Sequence, residues 1–377
     1  MTYKPYLDFY ADQGVDIVSR NIEDTEKFFR SRESLYLTLG IPPGLLKGKS
    51  VIEFGPGTGH NALYTDWLQP SLYVLVDGGE AILSASKNRL EVDGRNSVER
   101  QYICSLFENY CSEQKYDLVI AEGCIPNQIN PITLFQKLLE FVRPQGIMMF
   151  TTVSAASWLS EITRRLVKNR LVSMDTPFNE QVEYLLPIFS GHFTSLSSMG
   201  RTPESWILDN LVQPLSLGKL FTIPEVVDNL PSRFEIIATA PRFNLDWTWY
   251  KDVPGRNDEK NIAFLDSYYR NVINIMDRRS VIPSHDYELG EQIEDLASRI
   301  WVNLCLIEQG NSSAWSVVLN TLSELKNILR NLSPNTAKAI QEAHEWIEHG
   351  SVASPLNYFP SWWGRGQQHV SIFRSSQ

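Results

Sequence analysis

Between Ser50 and Asp77 the chain reads as a strand, a glycine-rich turn, a helix and a second strand, and few folds accommodate that run. Val51–Phe54 and Leu72–Val76 are short, continuous apolar stretches, and Asn61–Leu68 between them has helical spacing. The turn is Glu53-Phe54-Gly55-Pro56-Gly57-Thr58-Gly59. Its glycines allow a sharp bend and let a ligand approach the peptide groups closely. The helix that follows presents unpaired N–H groups toward the bend. Asp77 stands 22 residues after Gly55, at the carboxyl end of the second strand, where a carboxylate can take both hydroxyls of a ribose.

The alternation continues. Tyr102–Cys104, Leu118–Ala121 and Ile147–Thr152 read as further strands, with helices over Gly79–Leu90 and Ile132–Val142. Continuous apolar strands alternating with helices predict a parallel sheet covered on both faces, in an α/β doubly wound fold. After Val153 the pattern stops. Residues 155–190 are helix-like, and 190–232 are broken by Pro203, Pro214, Pro224 and Pro231. A strand returns at Phe234–Thr239, and one more is expected either at Asp246–Tyr250 or, preferably, at His369–Phe373. From about 255 the chain is a helical block. Two stripes there, Ile293, Leu296, Ile300, Leu304 and Val318, Leu322, Leu325, Leu329, Leu332, have the spacing of packing faces. The expected organisation is a helical cap over 1–45, a core over 46–155, and a helical and loop insert over 156–232. A return to the sheet over 233–254 and the helical block over 255–377 complete it.

A chain of 377 residues with 43% hydrophobic content buries a core without disulfide or metal staples. With 34 Lys+Arg against 44 Asp+Glu the net charge is −10, which argues against gripping nucleic acid or an anionic membrane as a main task. Cys104, Cys111, Cys124 and Cys305 form no CxxC pair and read as buried, reduced thiols. No apolar run approaches a membrane span, and no basic stretch precedes an apolar one at the N-terminus, so a cytoplasmic location is expected. No metal site is expected. His344 and His349 are five residues apart, about 140° around a helix, and so do not share a face. Ser284-His285-Asp286 has triad residue types, but triads assemble in space and not by adjacency.

A dinucleotide fingerprint would place Gly or Ala at the sixth position of the loop, where this chain has His60. Glu53 puts an acid directly before the glycines, and no basic residue stands nearby for a pyrophosphate. An acid there suits a cationic ligand, and S-adenosylmethionine (SAM) carries an ammonium, a sulfonium and a ribose. The segment VIEFGPGTGHNALY…LYVLVDGG, with Tyr116–Gly123 and the Arg143-Pro144-Gln145-Gly146 turn, resembles the class I SAM-dependent methyltransferases over about residues 45–155. The resemblance implies a seven-stranded, mostly parallel sheet with a reversed last strand between the fifth and sixth. It implies that the loop (Glu53, Gly55, Pro56, Gly57, Gly59) wraps the methionine and ribose of SAM, that Asp77 binds the ribose, and that S-adenosylhomocysteine is the product. Many members carry an acid after the third strand for the adenine. Here Cys104-Ser105-Leu106-Phe107-Glu108 leaves Ser105, Leu106, a backbone group or Glu108 for that contact.

Methyl transfer requires alignment of an acceptor lone pair and, for a hydroxyl or protonated amine, a proton acceptor. Glu122 ends the fourth strand and is the first catalytic candidate; otherwise it binds backbone amides or the cofactor. The insert running from His192 through Arg201, Trp206, Asp209 and Asn210 has the place in the chain where this class commonly builds its acceptor pocket. His192 is the second catalytic candidate and the other four are candidate pocket walls, with packing as the alternative for each. Tyr10, with Tyr3, Tyr6 and Phe9, is a candidate cap over the site, and Trp247 belongs to a second aromatic cluster. The expected activity is methylation of a hydroxyl or amine on a polar small molecule, such as a sugar or secondary metabolite. The alternatives are a protein or peptide methyltransferase, a non-catalytic SAM-binding scaffold subunit, and an NAD-dependent dehydrogenase. Neither nucleic acid nor membrane is an expected partner.

Overall fold

The computed structural model describes residues 24–91, 98–126, 128–196, 202–213, 219–244, 247–253, 255–351 and 355–376. Helix α1 (Thr25–Thr38) is capped by Asp24, whose side chain accepts a hydrogen bond from the Lys27 amide. Then follow β1 (Ser50–Phe54), α2 (Ala62–Trp67), β2 (Leu72–Asp77), α3 (Glu80–Glu91), β3 (Glu99–Cys104), β4 (Tyr116–Ala121), α4 (Pro131–Glu140) and β5 (Val142–Thr152). Next come α5 (Leu159–Leu171), α6 (Phe178–Thr194), α7 (Pro203–Ile207), α8 (Ile223–Asn229) and β6 (Phe234–Ala240). The chain ends with α9 (Asn257–Tyr269), α10 (Val272–Met276), α11 (Tyr287–Glu308), α12 (Ala314–Leu332), α13 (Pro334–His349) and β7 (Gln368–Arg374).

The seven strands lie in the order β3-β2-β1-β4-β5-β7-β6, parallel except for β7, which runs against both neighbours. The doubly wound sheet is what the strand–helix alternation predicts, the reversed strand between β5 and β6 is what the resemblance to class I methyltransferases implies, and that strand is the C-terminal segment. Residues 247–249, in the rival position, form no strand. On one face Val51, Leu75, Leu118, Ile120 and Met149 pack with Tyr36, Leu39, Tyr64 and Leu83 of the helical side. On the other, Phe150 meets Phe135 of α4 and Phe221, with ring centroids 5.1–6.1 Å apart.

The chain divides into two compact units. The first comprises the described residues of Met1–Thr152, Ser216–Ser267 and Gln368–Gln377, and contains the sheet. The second, Val153–Leu215 with Tyr268–Gln367, is helical. The boundaries thus cut across the 156–232 insert, returning its last part to the sheet's unit. Within the second unit both expected stripes are buried except Leu332, which is exposed at the end of α12. Among the described residues no helix is long and apolar enough to cross a membrane.

Several local expectations are corrected. β3 starts at Glu99, earlier than the apolar letters suggest, because it is an edge strand and half its side chains meet solvent. Its last residue, Cys104, and Cys111 in the following loop are therefore exposed thiols and not buried ones. β5 starts at Val142, where helix was expected to continue. Its register against β4 shifts between Tyr116 and Leu118, and Gln145 takes a positive φ of 60° in that irregular stretch. The helix-like 155–190 region is two helices, separated at Val172–Pro177.

β6 also has an irregularity, between Ile236 and Ala238. Asn261 of α9, almost fully buried, covers it: its Oδ1 accepts from the Ile236 amide at 2.9 Å and its Nδ2 donates to the Phe234 carbonyl at 3.0 Å. Asn261→Ala leaves both backbone groups buried without partners. It should lower stability by about 1–3 kcal/mol in a urea melt, whereas a loss below 0.5 kcal/mol would show that solvent replaces the amide.

Candidate functional site

The site forms where β1, β2 and β4 end. Gly55, Gly57 and Gly59 have φ values of 71°, 55° and 80°, a region that side chains disfavour. Their surroundings differ. A Cβ at Gly59 would stand 2.7 Å from Ser86 Oγ and 3.0 Å from its Cα, and one at Gly55 would stand 3.0 Å from Cys124 Cβ. These two glycines let the loop close on α3 and on the segment after β4. Nothing lies within 4 Å of a Cβ at Gly57, or at Gly123 just past β4. The backbone is therefore open there. The Gly55 amide donates to the Val76 carbonyl at 2.9 Å, and Arg89 Nε of α3 donates to the Thr58 carbonyl at 2.8 Å, so the loop is pinned on both sides.

Asp77 closes β2 with its carboxylate nearly buried. Burial pushes its pKa upward, opposed by hydrogen bonds from the amides of Gly79, Gly57 and Gly78. A carboxylate offers about four acceptor positions, so three amides leave capacity for a ligand hydroxyl. Beyond β3, the Ser105 amide donates to the Asp77 carbonyl at 2.9 Å while its hydroxyl is spent on the Leu106 carbonyl. Leu106 itself is 47% exposed, an apolar ledge beside Asp77's strand.

Glu53 departs from the sequence reading. Its side chain turns toward α1 and β2 within the sheet's unit, and its Oε2 accepts a hydrogen bond from the Tyr73 hydroxyl. Only 3% of the residue is exposed. Burial raises its pKa from 4.5 to about 7; the Tyr73 bond works against the rise, the negative Glu122 adds to it, and Arg32 opposes it. An acid so enclosed and half-protonated near neutrality is not the open counter-charge expected for the ligand's ammonium.

Glu122 carries the charge instead. Arg32 of α1 grips it with both terminal nitrogens, Nη1 to Oε1 at 2.9 Å and Nη2 to Oε2 at 2.7 Å. His369 Nε2 lies 3.0 Å from Oε1 and Asn61 Nδ2 lies 3.4 Å from Oε2. Burial alone would favour the neutral acid, but the Arg32 charge and the bonds from His369 and Arg32 win, holding Glu122 well below the usual carboxylate range. A carboxylate that clings so weakly to a proton is a poor general base. It is a fixed anion that positions others. Arg32 is raised in turn: burial opposes its charge and the Glu122 contact more than compensates.

His192, Trp206, Asp209 and Asn210 belong to the helical unit. His192 is 1% exposed in the helical unit, wedged between Phe189 and Phe359, and its Nδ1 accepts from Arg164 Nε at 3.1 Å. Burial and then the Arg164 charge push its pKa down to about 2. A ring that takes a proton only there is no base at neutral pH, so His192 is corrected to a packing residue. Trp206 is half-buried in the same unit, edge-on to Phe193 and Trp363. Asn210 Nδ2 bonds the Trp206 carbonyl at 2.9 Å, and Asp209 stands beside it on the same turn. Trp247 is 90% exposed. Tyr10, the other N-terminal aromatics and Arg201 lie outside the described residues. Arg32, Asn61, Tyr73 and His369 were not singled out from the sequence. A signal was present for one of them: a reversed last strand must begin where the parallel strands finish, which brings His369 to that end.

The family described as a methyltransferase domain matches residues 27–198, a span holding Arg32, the loop, Asp77 and Glu122 but not β6 or β7. No curated protein matches the chain. Among solved structures it is similar to an S-adenosylmethionine-dependent methyltransferase from Mesorhizobium loti, at 14% identity over 35% of this chain and 54% of that one, TM-score 0.27. It is similar also to PKMT2 from Rickettsia typhi, at 16% identity over 55% and 42%, TM-score 0.38. A third is the plantazolicin methyltransferase BpumL in complex with SAH, at 14% identity over 94% and 88%, TM-score 0.38. The chain spans about half the length of the first two. The domain match thus identifies residues 27–198 as a methyltransferase domain, and the strand order is that of the class I methyltransferase fold, whose cofactor is SAM.

The Glu53 environment has a consequence for stability. An acid whose folded pKa lies above its unfolded one contributes most below about pH 4.5, and the contribution is lost as pH rises to about 7. Glu53→Gln removes that proton. Between pH 5 and pH 8 wild-type stability should therefore fall by about 1–3 kcal/mol relative to the variant in paired urea melts. A constant difference would show that Glu53 does not titrate in that window.

Proposed function

We propose that the chain transfers a methyl group from SAM to a hydroxyl or amine of a polar small molecule, such as a sugar or a secondary metabolite. The observation that carries this reading is the open backbone at Gly57 and Gly123, flanked by the Asp77 carboxylate and the fixed Glu122 anion. A nucleoside with an adjacent cationic chain suits that arrangement: a ribose hydroxyl for Asp77, and a positive charge near Glu122. When bound, SAM supplies an electrophilic methyl on a sulfonium. The residues present have the complementary tasks of orienting the ribose, holding a negative field and keeping competing water out. The net charge of −10 supports a small acceptor over nucleic acid or a lipid surface.

Calorimetry with SAM and with its demethylated product tests the donor half. Asp77→Ala should weaken both by about tenfold to a hundredfold through lost hydroxyl bonds. Unchanged affinity would place the ribose elsewhere. A screen with methyl-labelled SAM against alcohols, phenols and amines tests the acceptor half, and tight binding without transfer to any of them would replace the enzyme by a SAM-binding scaffold.

A further inference from the structure

β7 runs antiparallel to β5, pairing Thr151 with His369 and Thr152 with Gln368. Its first residues thus stand at the end of the sheet where the parallel strands finish. There His369 Nε2 meets Glu122 Oε1 at 3.0 Å. The same carboxylate is fixed by both terminal nitrogens of Arg32 and approached by Asn61, so its position does not depend on His369. Glu122 is a buried anion and can only accept. Nε2 must then carry the hydrogen, and the neutral ring keeps its lone pair on Nδ1. Among the described residues no side chain or backbone group bonds Nδ1, and the side chain is 24% exposed. One edge of the ring is held, and the other bonds no described residue.

We propose that His369 is the general base of the methyl transfer, its Nδ1 taking the proton of the acceptor, with Glu122 and Arg32 as positioning residues behind it. This rests on the methyl-transfer reading above. The acceptor's O–H or N–H proton passes to Nδ1, and the electron pair it leaves bonds the incoming methyl carbon. The pair of the broken carbon–sulfur bond stays on sulfur, and the imidazolium later gives its proton to water. Glu122, facing the ring from β4, stabilises that imidazolium, while Arg32 and Asn61 bear on it only through Glu122. Such a base accepts protons from hydroxyls and ammonium groups alike, which fits a polar acceptor and gives an apolar carbon acceptor no advantage.

The test compares wild type with His369→Gln, using methyl-labelled SAM and whichever alcohols, phenols or amines wild type methylates. The variant should bind SAM within about twofold of wild type by calorimetry, which reports an intact fold and donor site. Its kcat should fall by about 10²–10⁴-fold, and the acid limb of the kcat–pH profile should disappear. Nitrogen NMR of histidine-labelled wild type with S-adenosylhomocysteine should show the neutral His369 ring protonated on Nε2. A variant that turns over like wild type, or a ring protonated on Nδ1, overturns the proposal while leaving methyl transfer intact. A wild type that binds SAM and methylates nothing removes the methyl-transfer reading, and this inference with it.

Discussion

The buried pair of Arg32 and Glu122 organises the end of the sheet. It joins α1, which precedes the first strand, to the end of β4, bridging 90 residues of chain through two near-parallel hydrogen bonds. Such a pair is not cheap to bury. Taking both charges from water costs several kcal/mol each, and the attraction offsets this only when geometry is good and the remaining lone pairs are filled. Here they are, by His369 and Asn61. The pair therefore adds little net stability by itself, but losing either partner strands a charge, at a cost on the order of 3–5 kcal/mol. What it secures is position: a carboxylate held in one place and one protonation state at the carboxyl ends of the strands.

That pair also explains why the two acids flanking the glycine loop behave differently. Glu53 and Glu122 lie close enough to repel each other, and one guanidinium serves both. Arg32 binds Glu122 directly and reaches Glu53 only through space. Burial pushes both acids up; Arg32 and His369 drive the bonded one down, while Glu53, which burial raises most and Glu122 raises further, stays up. Tyr73 then supplies Glu53 with a donor that burial keeps protonated, its pKa well above the ordinary phenol value. A hydrogen bond thus stands in for the ion pair.

Most of the sheet was legible because a doubly wound fold repeats one local pattern. Apolar runs marked β1, β2, β4 and β5, and the positive-φ glycines marked the loop. β3 was clipped because an edge strand shows half its side chains to water and loses the apolar run that identifies it. The pocket side of the site was poorly legible for a different reason. Glu122, Arg32 and His369 are separated by 90 and 247 residues, and no periodicity encodes a contact across such distances. The acid before the glycines was over-read: its position in the motif said nothing about which way the side chain would turn, and Tyr73 on the neighbouring strand decided that.

The two histidines near arginine and carboxylate chemistry show how far environment outweighs residue type. His192 has the composition of a catalytic residue but not the circumstances. Its Nδ1 is occupied by Arg164, its Nε2 is buried without a partner, and a positive neighbour in an apolar surround makes a second positive charge prohibitive. His369 has the opposite polarity of surroundings. Its neighbour is an anion, one nitrogen is committed to that anion, and the other bonds no described residue. Exchanging protons requires both that the charged form be tolerable and that a nitrogen be reachable. His192 fails on both counts, whereas the strand that closes the sheet sets His369 beside the Glu122 anion at the end where the parallel strands finish.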